Sequence, residues 1–285
     1  MAVVVGFIVG FLALRFVLLA GREMLQLPVL GRVNYRGATI ATACGLFIVM
    51  AALLVEAGRS MLGAFEFGDP PGLNPARPLM LLAVLGFGLL GFVDDMLGSE
   101  DRGFRGHIVA LMHGRLTSGM LKLIGGAAIA LVLAAEVGFV TGERLVADAL
   151  LIALAANLGN LLDRAPGRLL KFSLLAYLPL AFVAGVSAVG VALAPVMGAA
   201  TGLLPEDLRE RTMLGDTGAN LLGGVLGVAA VLECSRTARN GILIALVVLN
   251  LASEFVSFSK VIEAVPPLRW FDRLGRGFSA RSGPL

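Results

Sequence analysis

The stretch PLMLLAVLGFGLLGFVDDML, residues 78–97, decides the fold class. No charged residue occurs from Pro78 to Val93, and the run then closes on Asp94 and Asp95. About 20 apolar residues in a helix cross the hydrocarbon core of a bilayer. Eight more runs of this kind lie outward from it, at Ala2–Ala20, Ala38–Ala57, Gly119–Val137, Leu145–Leu162, Leu169–Val183, Val186–Leu203, Ala219–Leu232 and Gly241–Phe258. Composition agrees: the chain is 58% hydrophobic and 15% charged, where soluble domains carry roughly 25% charged residues. Strands or irregular backbone facing lipid would leave their amides unsatisfied. The expected fold is therefore all-α, a polytopic transmembrane helical bundle of about nine to ten spans. Residues 1–270 form one domain and 271–285 a mobile cytosolic tail rich in Gly and Arg. Ala2–Ala20 lacks the basic start and small-residue cleavage site of a signal peptide and is read as a span.

Lys and Arg set the orientation, because cytoplasmic loops carry the excess of positive residues. With the N-terminus outside, sixteen basic residues fall in inner segments, from Arg22 to Arg281, and five in outer ones, Arg59, Arg77, Arg144, Arg236 and Arg239. The expected topology is N-out, C-in, in a bacterial inner membrane. It puts Cys44 and Cys234 near opposite faces, so no disulfide joins them.

On that topology four polar clusters share the inner face. They are Asp94–Asp95 in GFVDDMLG, Lys122 near the start of the fourth span, Asn157, Asn160 and Asp163 in NLGNLLD, and Asp216 in MLGDTGAN. Each has an ordinary structural reading. An acidic pair can be a solvated helix end, the asparagines interhelical glue, Asp216 an N-cap, and Lys122 a snorkelling side chain. Four such clusters on one side would be a coincidence under those readings, whereas ionisable groups at the ends of apolar helices commonly have a task. Asn157, Asn160 and Asp163 recur every third residue and form a ridge along one helix face. Asp94, Asp95, Asp163 and Asp216 can surround a hard divalent cation such as Mg²⁺, which takes one or two carboxylates together with substrate phosphates and waters. Lys122 and the Arg-rich loops would balance phosphate charge.

At these residues the chain resembles the polyprenyl-phosphate N-acetylhexosamine-1-phosphate transferase superfamily, from about Asn34 to Asp216. GFVDDMLG is similar to its paired-aspartate motif, TSGMLKLIGG to the segment with its basic residue, NLGNLLD to its Asn/Asp motif, and MLGDTGAN to its Gly-Asp-x-Gly motif. NYRGATIATACG is similar to its first cytoplasmic loop and places Arg36 there. The resemblance implies a Mg²⁺-dependent membrane transferase that moves a sugar-1-phosphate from a UDP-sugar to polyprenyl phosphate, with release of UMP, in cell-envelope synthesis. It implies that Asp216 is the metal ligand and that Asp94 and Asp95 engage or deprotonate the lipid phosphate. Asp163 and Lys122 are the other catalytic residues, with Lys122 on the diphosphate. Asn157, Asn160, Arg36 and Asn220 would bind substrate. A second copy of the chain is an expected partner.

The chain departs from the family in its histidines. It has His107 and His113 and none after them, where the family has a His-rich motif in its last cytoplasmic loop. Asp163 is followed by Arg164, Ala165 and Pro166 instead of Gly. These changes lie on the donor side and imply an altered sugar nucleotide or lost catalysis. Other classes remain as alternatives. A CDP-alcohol phosphotransferase needs downstream aspartates that DRAPGR lacks. A transporter favours polar groups at the midplane, and here they gather at one face. A non-catalytic scaffold would keep the fold.

Overall fold

A chain in lipid must pair every backbone N–H and C=O internally, and the nine apolar runs accordingly form helices. The computed structural model describes residues 1–276 apart from Tyr35, Asp69, Pro71, residues 99–102 and residues 138–140. The bundle comprises α1 (Ala2–Ala20), α2 (Gly45–Ala64), α3 (Ala76–Leu97), α5 (Ser118–Ala135), α6 (Gly142–Leu162), α7 (Arg168–Ala184), α8 (Ala188–Leu208), α9 (Gly215–Glu233) and α10 (Arg236–Phe255). A short α4 (Gly103–Met112) lies between α3 and α5, and α11 (Phe258–Ala264) and α12 (Pro266–Arg273) follow α10. Thr117, Thr141, Ser187 and Ser235 start α5, α6, α8 and α10 by accepting a first-turn N–H, the usual N-cap bond.

Eight of these helices are long and apolar enough to cross a membrane. The ninth, α7, has 17 residues and is a crossing by parity. Arg15 of α1 meets Glu206 of α8 at 2.9 Å, Gly202 packs on Phe11 and Gly198 on Phe7. Contact partners thus rise together, and α1 and α8 run parallel. That direction requires one of α4 and α7 to cross, and α4, with 10 residues, is too short for a bilayer, so the crossing is α7. The protein is a multi-pass membrane protein.

Several boundaries differ from the sequence reading, the second span most: it runs from Gly45 to Ala64, not Ala38 to Ala57, and its start is displaced because 39–41 is a strand. β1 (Gly31–Val33) and β2 (Thr39–Ala41) form an antiparallel hairpin, the one exception to an all-helical chain among the described residues. Asn34 Oδ1 closes its turn by accepting the Arg36 and Ala38 amides, both at 2.9 Å. Short apolar runs do not distinguish strand from helix by periodicity.

The chain then runs alongside the segment that leads into α9. Met213 N donates to Ala41 O, Cys44 N to Met213 O and Gly45 N to Leu214 O. A Cβ at Gly45 would sit 2.1 Å from Gly218 N, and one at Gly91 2.1 Å from Asp216 O. Absent side chains at these two positions bring α2 and α3 onto the first turn of α9. α9 is the axis of the bundle, with 78% of its spanning window buried against 6% for α10, which faces lipid.

Charges hold the outer end. Asp148, fully buried in α6, accepts from Arg144 and, at 2.8 Å, from Arg239 of α10. Arg144 also reaches Asn240 Oδ1 at 2.7 Å, and Arg77 reaches Glu56 at 2.6 Å. Arg77, Arg144 and Arg239 therefore belong to buried polar pairs, not outer loops.

At the inner end α12 docks on the start of α7. Arg168 pairs with Asp272 at 2.8 and 3.1 Å, and both are about 95% buried. Lys171 Nζ donates to the carbonyls of Phe271, Asp272 and Leu274. Residues Phe271–Arg276, expected in a mobile tail, are held because these buried donors need acceptors. Residues 277–285 lie outside the described residues.

Candidate functional site

Four helix ends build the inner-face site. α3 ends with Asp94 and Asp95, α5 begins with Ser118 and Lys122, α6 ends at Asp163, and α9 begins with Asp216. Lys122 Nζ donates to Asp94 Oδ2 and to Asp216 Oδ2, each at 2.6 Å. Ser118 Oγ donates to Asp94 Oδ1 at 2.7 Å. Side chains of this trio are 18–37% exposed, so the site is open to water.

Asp95 sits beside Asp94 in sequence and does something else. Its Oδ1 accepts the Asp216 amide at 3.0 Å, and its Oδ2 accepts the Thr217 amide at 2.9 Å and the Thr217 hydroxyl at 2.6 Å. A carboxylate on α3 thus caps α9, where unpaired amides and the positive end of the helix dipole favour a negative group. Gly215 makes the turn at φ +73°, and a Cβ there would lie 2.6 Å from Asp95 Oδ2.

Asp207 was not singled out in the sequence. It is 5% exposed, and its two oxygens accept Gly167 N at 2.5 Å and Leu214 N at 3.0 Å. It ties the loop after Asp163 to the segment before Asp216. Its setting, LPEDLRER, reads as a solvated charged loop, and only the fold reveals the buried brace. The Asp163 carboxyl forms no hydrogen bond or ion pair among the described residues, and its amide donates to Gly159 O at 3.0 Å. Burial first, then the charges of Asp207, Asp216 and Asp95, push its carboxyl well above the usual range, while Arg164 pulls it partly back. It belongs to the cluster electrostatically.

The remaining expected residues divide. Asn157 is exposed and donates to Asn250 of α10 at 2.7 Å. Asn160 Oδ1 and Asn220 Nδ2 are buried without partners. Arg36 lies in the hairpin loop and pairs with Glu210 at 2.9 Å. The four aspartates do not form one cage. Among the described residues no three metal-capable side chains converge, because Asp95 is committed to α9 and Asp163 stands apart.

The geometry can now be set beside known proteins. The chain is 31% identical to the phospho-N-acetylmuramoyl-pentapeptide-transferase of Deinococcus radiodurans over 201 residues. Those residues are 67% of this chain and 61% of that protein. The chain thus spans less than two thirds of the length of the curated relative it matches. No family model matches. The likeness supports the superfamily to which the motifs pointed.

A large apolar cleft of about 830 Å³ adjoins the site. Its walls come from α6, α7, α9 and α10, and its lining includes Gly159 and Leu162, on the last turn of α6 before Asp163.

Proposed function

We propose that this protein moves a sugar-1-phosphate from a UDP-sugar to polyprenyl phosphate at the inner face of a bacterial membrane and releases UMP. One observation carries the reading: a charged cluster of Asp94, Lys122 and Asp216 and an apolar cleft both draw on α9, and the cleft also takes in Leu162, next to Asp163. Such a pairing suits a substrate with a phosphate head and a hydrocarbon chain. The similarity to a named transferase supports the same class.

In the reaction, an oxygen of polyprenyl phosphate attacks the sugar-bearing phosphorus of the donor. The bond from that phosphorus to the bridging oxygen breaks, and UMP leaves with that oxygen. The product is a polyprenyl diphosphate sugar. Lys122 pairs with the diphosphate. Asp95 and Asp207 touch no reacting atom and hold the start of α9, which fixes Asp216. Asn160 and Asn220 offer their unpaired atoms to the nucleotide-sugar, since a buried polar atom without a partner costs about 1–3 kcal/mol.

The residues fit Mg²⁺. Asp94 and Asp216 direct one oxygen each at a single point of positive charge, and Mg²⁺ typically takes one or two carboxylates, with phosphates and waters completing its shell. When bound it would neutralise charge on the diphosphate. The test is to incubate the purified protein with Mg²⁺, undecaprenyl phosphate and a panel of UDP-sugars and assay UMP. UMP release that requires both the lipid and Mg²⁺ is expected, and none with any donor would overturn the reading.

A further inference from the structure

We propose that Lys122 is a tethered, exchangeable cation: its ammonium occupies the position between Asp94 and Asp216 that a divalent cation takes on binding, and yields it on exchange. The inference rests on the divalent-cation reading above.

Three observations carry it. First, Nζ lies 2.6 Å from one oxygen of each carboxylate, so a single positive centre already holds both acids together. Second, one ammonium faces two carboxylates, and the pair keeps a net negative charge that a divalent ion neutralises better. Neighbouring Asp95 cannot help, because its oxygens are bound to the first turn of α9. Third, the site is accessible. Lys122 is 22% and Asp216 37% exposed, unlike the buried Arg168–Asp272 pair. A lysine presents a compact charge on a flexible four-carbon stem, so Nζ can leave without moving α5.

Exchange couples two binding events. Lys122 released from the aspartates becomes free to meet a phosphate, so the cation promotes binding of a nucleoside diphosphate derivative, and linkage makes the effect mutual. A fixed structural ion pair would give no such coupling.

The test uses the full chain in detergent micelles and Mn²⁺ alone, with free ion measured by electron paramagnetic resonance. Lys122→Met removes the charge and keeps the length. It should bind Mn²⁺ about tenfold more tightly than wild type, as a competitor is lost. In parallel, acylation of Lys122 in wild type is read by mass spectrometry against Lys260, one of the other two lysines. Its reactivity should rise several-fold when Mn²⁺ saturates the protein. Unchanged or weaker Mn²⁺ binding by folded Lys122→Met overturns the proposal. If that variant does not fold, the labelling arm decides alone. Mn²⁺ binding with unmoved Lys122 reactivity overturns the exchange and leaves the metal reading standing, whereas no Mn²⁺ binding overturns both. Exchange in a protein that releases no UMP supports the exchange and overturns the transferase reading.

Discussion

At the outer end of the bundle, Asp148 is fully buried and receives Arg144 and Arg239, with Asn240 completing the set. At the inner end, Asp94 and Asp216 share one ammonium and stay partly exposed, while the Asp163 carboxyl has no partner among the described residues. Outside, cations exceed anions and the one carboxylate that joins them is fully buried, so the cluster pins α10 to α6. Inside, anions exceed cations and water has access, so the cluster can exchange its counter-ion. Net charge and access, more than the presence of charge, distinguish a staple from a site.

The largest test of this contrast is Asp216→Asn. It should lower UMP release by at least about a hundredfold and leave the melting temperature nearly unchanged, because Asp216 lies inside the first turn of α9 and is not its N-cap, and Asn keeps its size. Near-normal activity would reduce Asp216 to a helix-end residue. The complementary change, Asp148→Ala, leaves the buried Arg144 and the half-buried Arg239 without their shared anion. It should cost on the order of 3 kcal/mol of stability, seen as a lower melting temperature, with Mn²⁺ affinity of the folded fraction unaltered.

Two pH experiments sharpen the comparison. Asp163 has a raised carboxyl, so the folded state holds its proton more tightly than the unfolded state. Its contribution is full below the unfolded value of about 3.9 and is lost as pH rises through the raised one. Metal-free stability should fall with pH in that window, and Asp163→Asn should flatten the slope. Asp272 is the reverse: Arg168 and Arg276 outweigh its burial and hold it below the usual range. Its contribution is full above about 3.9 and is lost as pH falls through the lowered value, and Asp272→Asn should remove that acid-side loss. The smallest effect belongs to Arg273→Ala. Its pair with Glu263 is more than half exposed, so the melting temperature should not move measurably.

Hydropathy reveals the eight helices long and apolar enough to cross and the shorter run that becomes α7, because lipid leaves the backbone few options, and the helix ends that carry Asp94, Lys122, Asp163 and Asp216 follow from it. The start of α2 is hidden, since Thr39–Ala41 pairs with a strand that the run itself does not contain. Adjacent Asp94 and Asp95 look alike in sequence, and only the arrival of α9 separates the residue that meets Lys122 from the one that caps a helix. Asn157 reads as a ligand-binding residue until Asn250 of α10 comes into view. Asp148 is legible in the sequence: an acid inside an apolar span calls for a partner, and Arg144 lies one turn before it.

The clasp between α7 and α12 also bears on time. Arg168 is secured by Asp272, 104 residues later in the chain. At translation rates of 5–20 residues per second, that interval is roughly 5–20 s. Within that interval the loop following Asp163 gains its Asp207 brace from α8 but not its clasp to α12, and α10 must cross the membrane before α12 can arrive. The inner face is therefore assembled last. A ribosome stalled after α9 would leave an inserted bundle whose aspartates are present and whose adjoining loop is braced by Asp207 but lacks its clasp to α12.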